Sequence, residues 1–432
     1  MRKLLPFLIL VSIIQMTMAR TLVVTSSSDN INDPIPGMLR YFIRNAKQND
    51  TIKFDVSSVL LKREISLLFP VVIDGGAKKV TLDGGKVDRI FSIFVGYNDK
   101  FVLKNLKFVN GKVQDKFAQG GALYILSNYG ELIVDNCIFA NNEMVGFRGG
   151  AVSTIGGTYT NCIFINNKVT KFNDSQNGDG GGLYATEGGL FINCVFSSNQ
   201  AQYGGSVSSW GSKFYNCTFA NNKATLSSST GGIDASYGEL VNCLVYGNSV
   251  NGIPSNIIVD DKTIVKNSAM ESGNSLVGKN GNLGLNSSPF KGGNGADSLS
   301  LVAGVCVNAG ITEGVQVLNT DILNNKRIIG SAIDLGAYEF TSTITTLILA
   351  DNHDSELILF PNPSKGEVNI LLPSNNYKEV SVLDNTGKVV LTQNIKANGS
   401  GTERLDLSGL QKGMYIISAK GETTLRKKVV ID

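Results

Sequence analysis

The chain has one histidine, His353. A lone histidine cannot serve the Ser-His-Asp and Cys-His relays or most histidine-built metal sites, and His353 falls in a stretch that reads as a linker. Acid–base chemistry on carbon–oxygen bonds would then fall to paired carboxylates. Asp74 and Asp83 recur in matching Asp-Gly-Gly turns, but such turns recur for backbone reasons. Asp234 stands where other repeats carry an apolar residue after a Gly-Gly pair. Either it is a buried acid, or Ile233 takes the inward place and Asp234 faces out. No cluster of acids beside a base is legible. Phe117, Phe147, Arg148, Lys171, Phe172 and Tyr203 are better placed, because they lie in segments of variable length. Exposed aromatics and cations suit stacking on sugar rings or contact with acidic glycans. The alternative is that these side chains only pack their loops down.

The elements that must hold these residues are repeats. Asn136-Cys137-Ile138-Phe139 returns at Asn161, Asn193 and Asn216, with an eroded copy at Asn242, at intervals of 25, 32, 23 and 26 residues. Each is followed by an asparagine: Asn142, Asn167, Asn199, Asn222 and Asn248. Gly-Gly pairs alternate with them at Gly120, Gly149, Gly180, Gly204 and Gly231. A period of about 20–45 residues means a repeat architecture. Leu132 and Val134, like Leu190 and Ile192, alternate at a strand period, and no helix-length apolar face separates the units. Strands repeated without helices make a parallel β-solenoid, with like stacked on like about 4.8 Å apart. Phe139, Phe164, Phe196 and Phe219 should form an inward stack, and the asparagines a ladder. From a Gly-Gly pair to the next Asn-Cys the last four spacings are 12, 13, 12 and 11 residues, whereas from Asn-Cys to the next Gly-Gly they are 13, 19, 11 and 15. The insertions should therefore emerge along one edge.

The two phrases resemble the GGA-type and FxxN-type repeats of polymorphic outer-membrane proteins and related right-handed parallel β-helix surface proteins. The resemblance implies a right-handed parallel β-helix over residues 20–340. Strand Thr21–Thr25, a helix from Gly37 to Lys47 and the Asp50–Phe54 strand resemble the entry of many secreted β-helices, the helix capping the core. The run Arg327–Glu339 resembles the choice-of-anchor Q signature, which closes such domains before surface-anchoring tails. Asp334 and Glu339 are the one pair considered for Ca²⁺, against a structural turn, and no cofactor is otherwise expected. β-helix polysaccharide lyases and glycoside hydrolases share this type of body, so an enzyme of that kind is the alternative to a non-catalytic adhesin, glycan-binding or surface-structural protein.

Residues 341–356 read as a linker, and 357–432 as a small immunoglobulin-like β-sandwich of six or seven short strands. This tail resembles the C-terminal sorting domain of the type IX (Por) secretion system. The resemblance rests on Phe360-Pro361-Asn362-Pro363, on the segment through Gly413 and Tyr415, and on Lys428-Val429-Val430-Ile431. It implies export across the outer membrane by that machinery, tail removal by its sortase, and a mature protein that is released or attached to surface lipopolysaccharide. At the other end, Arg2 and Lys3, an apolar run from Leu4 to Ile14 and Thr17-Met18-Ala19 read as a signal peptide over residues 1–19. No other apolar run is long enough for a membrane span in the mature chain. The formal net charge of +3 suggests no nucleic-acid partner; a glycan or a host or cell-surface ligand is the partner expected. Five of six cysteines are the repeated ones. Stacked at about 4.8 Å they lie outside the roughly 3.5–4.5 Å a disulfide wants, so they read as small buried hydrophobes.

Overall fold

A computed structural model describes residues 19–432, except 128–129, 174–177, 293–297, 342–356, 361, 373–376, 385, 396–401 and 422–423. The signal-peptide reading, except for Ala19, and His353 with nearly all of the linker lie outside the described residues. The chain divides into two compact units, Met1–Ser342 and Thr343–Asp432.

The first unit is a parallel β-helix. Its strands fall into four stacked sheets of 10, 10, 7 and 8 strands, here called I to IV in the order the chain visits them. One coil shows the order: Lys100–Lys104 in sheet I, Leu106–Val109 in sheet II, Lys112–Gln119 in sheet III and Leu123–Ser127 in sheet IV. The next coil begins at Glu131–Asp135, paired in parallel with Lys100–Lys104.

Register follows from which side chains can stack. Phe108, Phe139, Phe164, Phe196 and Phe219 are aligned partners in sheet II. All five are fully buried, with ring centroids 5.0, 4.7, 4.6 and 5.0 Å apart. The expected stack is thus present and one coil longer. Tyr159, Phe191 and Phe214 form a second stack in sheet I, at 4.8 Å for each step.

The asparagines do two jobs. Those of the Asn-Cys phrase turn the chain from sheet I to sheet II in the left-handed conformation, with φ of 54°, 52°, 59°, 54° and 56° from Asn136 to Asn242, a region asparagine tolerates better than other residues with a side chain. Asn142, Asn167, Asn199, Asn222 and Asn248 form the continuous ladder. The Nδ2 of Asn167 donates to the Phe139 carbonyl and to Asn199 Oδ1, while its own backbone N–H also donates to Asn199 Oδ1. The same set repeats from Asn199 to Asn222 and from Asn222 to Asn248. The five repeated cysteines and Cys306 are free and buried, and Cys162 Sγ donates to the Val134 carbonyl of the preceding coil at 3.4 Å.

The N-terminal helix is shorter than expected, Leu39–Asn45. Leu39 and Ile43 join the core that holds Val24 and Ile52. The Arg40 guanidinium, almost fully buried, pairs with Asp29 at 2.7 Å and donates to the carbonyls of Arg63 and Glu64. Beyond the last repeat, Leu283–Leu285 adds one more strand to sheet II.

The segment expected to close the helix does something else. Residues 299–340 fold back along the outside of sheets I and II. Ala337 and Tyr338 pack on the outward Val195 and Ala220, and Ile311, Val315 and Leu318 pack on Ile192, Tyr215 and Val241. The Ala337 N–H donates to Thr218 Oγ1 and the Gly336 N–H to the Asn242 carbonyl. The physical reason is that outward apolar residues of these coils need cover. Arg327, 1% exposed, pins this strap by an ion pair to Glu339 at 2.9 Å and a hydrogen bond to the Gly336 carbonyl at 2.7 Å. Asp334 accepts from the N–H groups of Asn308 and Phe340. The pair considered for Ca²⁺ is therefore tied to backbone donors and to Arg327.

The second unit has two antiparallel sheets. One orders Ile358–Phe360, Glu367–Leu371 and Thr402–Asp406, and the other Val389–Asn394, Glu379–Leu383, Gly413–Lys420 and Thr424–Ile431. Val368, Ile370 and Leu405 from the first share a core with Val380, Val382, Ile417 and Val429 from the second, which makes a small β-sandwich.

Two outcomes follow. Phe164→Ala should lower stability by about 3–5 kcal/mol through a cavity, whereas Phe172→Ala, at an exposed ring, should change little. Thermal melts of the two variants check this, and equal shifts would contradict the stack. Burial raises the Glu339 carboxyl to about 7, against the opposing pull of Arg327. The folded chain therefore holds a proton the unfolded chain releases near the ordinary value of 4.5, so this contribution to stability falls as pH rises from there through about 7. Calorimetry across that window should show a flatter pH dependence for Glu339→Gln than for the parent chain.

Candidate functional site

The site lies where sheet III turns into sheet IV. The residue before each of the first four Gly-Gly pairs and the first outward residue of the sheet IV strand after each pair face the same side of this turn. The first set is Gln119, Arg148, Asp179 and Tyr203; the second includes Tyr124, Ser153, Tyr184, Ser208 and Asp234. Two glycines allow the pinch. Gly149 has φ of 69°, and a Cβ on Gly150 would sit 1.9 Å from the Gly181 carbonyl oxygen of the next coil. Only glycine fits so close an approach.

The backbone sets the first row in register. The Arg148–Asp179 and Asp179–Tyr203 bridges are parallel, with the Asp179 N–H donating to the Phe147 carbonyl at 3.0 Å and the Gly180 N–H to the Tyr203 carbonyl at 3.0 Å. Side chains then meet across the pinch. Arg148 Nε reaches Asp179 Oδ2 at 3.3 Å. Its guanidinium carbon lies 4.0 Å from the Phe147 ring centroid and 4.4 Å from that of Tyr184. Ser153 Oγ donates to Gln119 Oε1 at 2.9 Å. Farther along, Arg89 lies over Tyr124, 5.4 Å from the ring centroid, and pairs with Glu64.

Burial governs the electrostatics. It pushes the Asp179 carboxyl above its ordinary value; Arg148 pulls the other way and Asp234 adds to the rise. Burial alone raises Asp234, and burial leads in raising the Tyr184 phenol. The notch therefore presents a braced cation, two carboxyls whose pKa burial raises, and aromatic faces.

Of the residues singled out in the sequence, the structure brings together Phe147, Arg148 and Tyr203. Phe117 stands on a bulge in the strand Lys112–Gln119, where the register shifts between Asp115 and Gln119; it is 71% exposed, with Lys116 over its ring. Lys171 and Phe172 are exposed beyond the strand Lys168–Thr170. Asp234 is outward and Ile233 inward. Gln119, Asp179 and Tyr184 escaped the sequence reading. The signal was present, since all four first-row members directly precede a Gly-Gly pair that the repeat marks and Tyr184 follows the apolar anchor. Asp74 and Asp83 cap their turns, accepting from the N–H groups of Gly76 and Gly85.

In the second unit the three sequence motifs of the tail meet. Asn362 Nδ2 donates to the Lys428 carbonyl, and the Val430 N–H donates to Asn362 Oδ1. Gly413 pairs with Ile431 and Tyr415 with Val429 in adjacent antiparallel strands. Pro361 lies outside the described residues, and Pro363 is exposed.

The secretion system C-terminal sorting domain family matches residues 358–432. No curated protein matches the chain. Among solved structures, the pectate lyase Pel9A is 12% identical, over 76% of this chain and 98% of that one, with a TM-score of 0.34. The major cedar-pollen allergen Jun a 1 is 15% identical, over 75% and 90%, with a TM-score of 0.34. At these scores neither likeness carries an argument about the notch. Among the described residues no helix is long and apolar enough to cross a membrane. The chain is a parallel β-helix protein whose C-terminal unit is a type IX secretion sorting domain, and it is exported to the cell surface or the extracellular space.

Proposed function

We propose that this protein is a surface-displayed, non-catalytic adhesin that binds glycans through the notch between sheets III and IV. The observation that carries the reading is Arg148, held against the rings of Phe147 and Tyr184 and bonded to Asp179. A guanidinium braced in this way loses little freedom on binding and offers its remaining donors to hydroxyls or acidic groups of a sugar. Ser208 and Tyr203, both part-exposed, add polar groups along the same edge. The stacked coils underneath are rigid, as a preformed binding surface needs.

A second reading has one observation in its favour. Burial raises the carboxyls of Asp179 and Asp234 above their ordinary value, the direction of shift that a general acid needs. That favours a glycoside hydrolase or polysaccharide lyase acting in the same notch.

Changing Phe147, Arg148 and Tyr203 together to alanine should reduce binding on a glycan panel at least about tenfold, with the fold intact by circular dichroism. Unchanged binding would remove this edge as the site. Incubating the parent protein with the same glycans, while following new reducing ends and unsaturated-product absorbance, separates the readings. Turnover lost in Asp179→Asn would establish the enzyme.

The sorting role yields its own outcome. The β-helix core and the sandwich core share no residues, so deleting Leu357–Asp432 should leave a folded body. That body should accumulate in the periplasm, as cell fractionation would detect, and normal surface amounts of it would contradict the proposal.

A further inference from the structure

The opposite edge of sheet IV, where the chain turns into sheet I, carries a feature the notch does not use. The residue at this turn is left-handed in four successive coils: Gly156 at 66°, Glu187 at 55°, Gly211 at 73° and Tyr237 at 55°. Glycine fills two of these places at no steric cost, whereas a bulky aromatic in this region is an outlier. Gly156 and Gly211 donate their N–H groups to carbonyls of the next coil, those of Thr186 and Ser236. Tyr237 instead donates to both carboxylate oxygens of Asp260, at 3.2 and 3.3 Å. Asp260 is itself fixed by the Thr263 hydroxyl at 2.5 Å. A dedicated acceptor thus holds a strained residue in place.

The strain does not serve burial. The Tyr237 ring is 50% exposed and packs on Trp210, itself 51% exposed. Trp210 is the chain's one tryptophan. The centroids are 5.4 Å apart, with the planes tilted by 55°. Lys262 lies over the Tyr237 ring at 4.6 Å and donates to its hydroxyl at 3.2 Å. Phe94 and Leu126 hold the same place two or more coils earlier and are also exposed, with Ile155 and Thr186 between them and Trp210. Strained backbone that persists without a packing return marks a functional position.

We propose that Trp210 and Tyr237 form a platform for the apolar face of a pyranose ring, a glycan subsite separate from the notch. The proposal rests on the glycan reading for its ligand class alone. Two rings tilted by 55° open a shallow wedge that fits the stepped C–H face of a chair better than a flat base, which wants a parallel slot. Lys262, which lies over the Tyr237 ring, and Asp260 beside it offer a donor and an acceptor for ring hydroxyls.

The single tryptophan supplies a local readout. The full-length protein is titrated with cellohexaose and, separately, with hexagalacturonate, following Trp210 fluorescence. A saturable change with either sugar is expected, and which one produces it decides between a neutral and an acidic pyranose. Tyr237→Gly installs the residue that the neighbouring coils use. It should melt at or above the parent temperature and bind at least about tenfold more weakly. No fluorescence change with either sugar would overturn the proposal, as would Tyr237→Gly binding like the parent. A large drop in melting temperature for Tyr237→Gly would also overturn it, because the ring would then be a packing element. The notch variant leaves Trp210 in place, so failure of the notch reading and failure of this one are separate results.

Discussion

The buried asparagine ladder is the interaction on which the β-helix depends. Each coil must turn from sheet II into sheet III inside the protein, where an unpaired backbone group costs roughly 1–3 kcal/mol. The amide of Asn167 answers for its own coil and its neighbours at once. Its Nδ2 satisfies the Phe139 carbonyl, and its Oδ1 accepts from Asn142. Because each amide bonds the next, a shift of one coil would break bonds in two others. The phenylalanine stack lies in the same register and adds the apolar burial. Stacking and polar satisfaction therefore select one alignment of the strands.

That constraint divides the coil into a part that cannot vary and a part that can. From the Gly-Gly pinch through sheets IV and I to the Asn-Cys turn, glycines and asparagines touch the backbone of the next coil. Insertions there would separate partners such as Gly150 and Gly181. Between the asparagine ladder and the next pinch the chain can lengthen into solvent. The notch with Arg148, Asp179 and Tyr184 sits at the junction of these two parts. The glycines and Tyr184 come from the constant half, while Phe147, Arg148, Asp179 and Tyr203 come from the variable half. A rigid floor beneath variable walls suits recognition.

The same stacking explains how an exported chain keeps free cysteines. Burial raises the thiols of Cys137, Cys162, Cys194 and Cys217 well above their ordinary value, and that of Cys306 to about 12. The thiolate is the reactive form, so these groups are inert once folded. The S–H groups of Cys137, Cys162, Cys194 and Cys217 meet carbonyls of the preceding coil instead. The strap of residues 299–340 extends the burial to outward residues that the coils leave apolar, with one buried arginine, Arg327, beside the carboxylates of Asp334 and Glu339.

By itself the sequence determined the β-helix, the inward aromatic stack, the asparagine ladder, the edge that takes insertions and the sorting tail. These are properties of periodic position, and a parallel solenoid converts period directly into contact. It could not place the strap, because Ala337 meets Thr218 across more than a hundred residues with no repeat to align them. Nor did it separate the notch residues from the exposed Phe117, Lys171 and Phe172, since all lie in the same variable segments. Tertiary structure decided that, through the glycine pinch that draws Asp179 to Arg148 and Tyr184 and leaves the others outside. The strained Tyr237 was likewise invisible in the sequence, where it reads as an ordinary turn aromatic. Its meaning comes from Asp260 and Trp210, which stacking brings to it from the coils on either side.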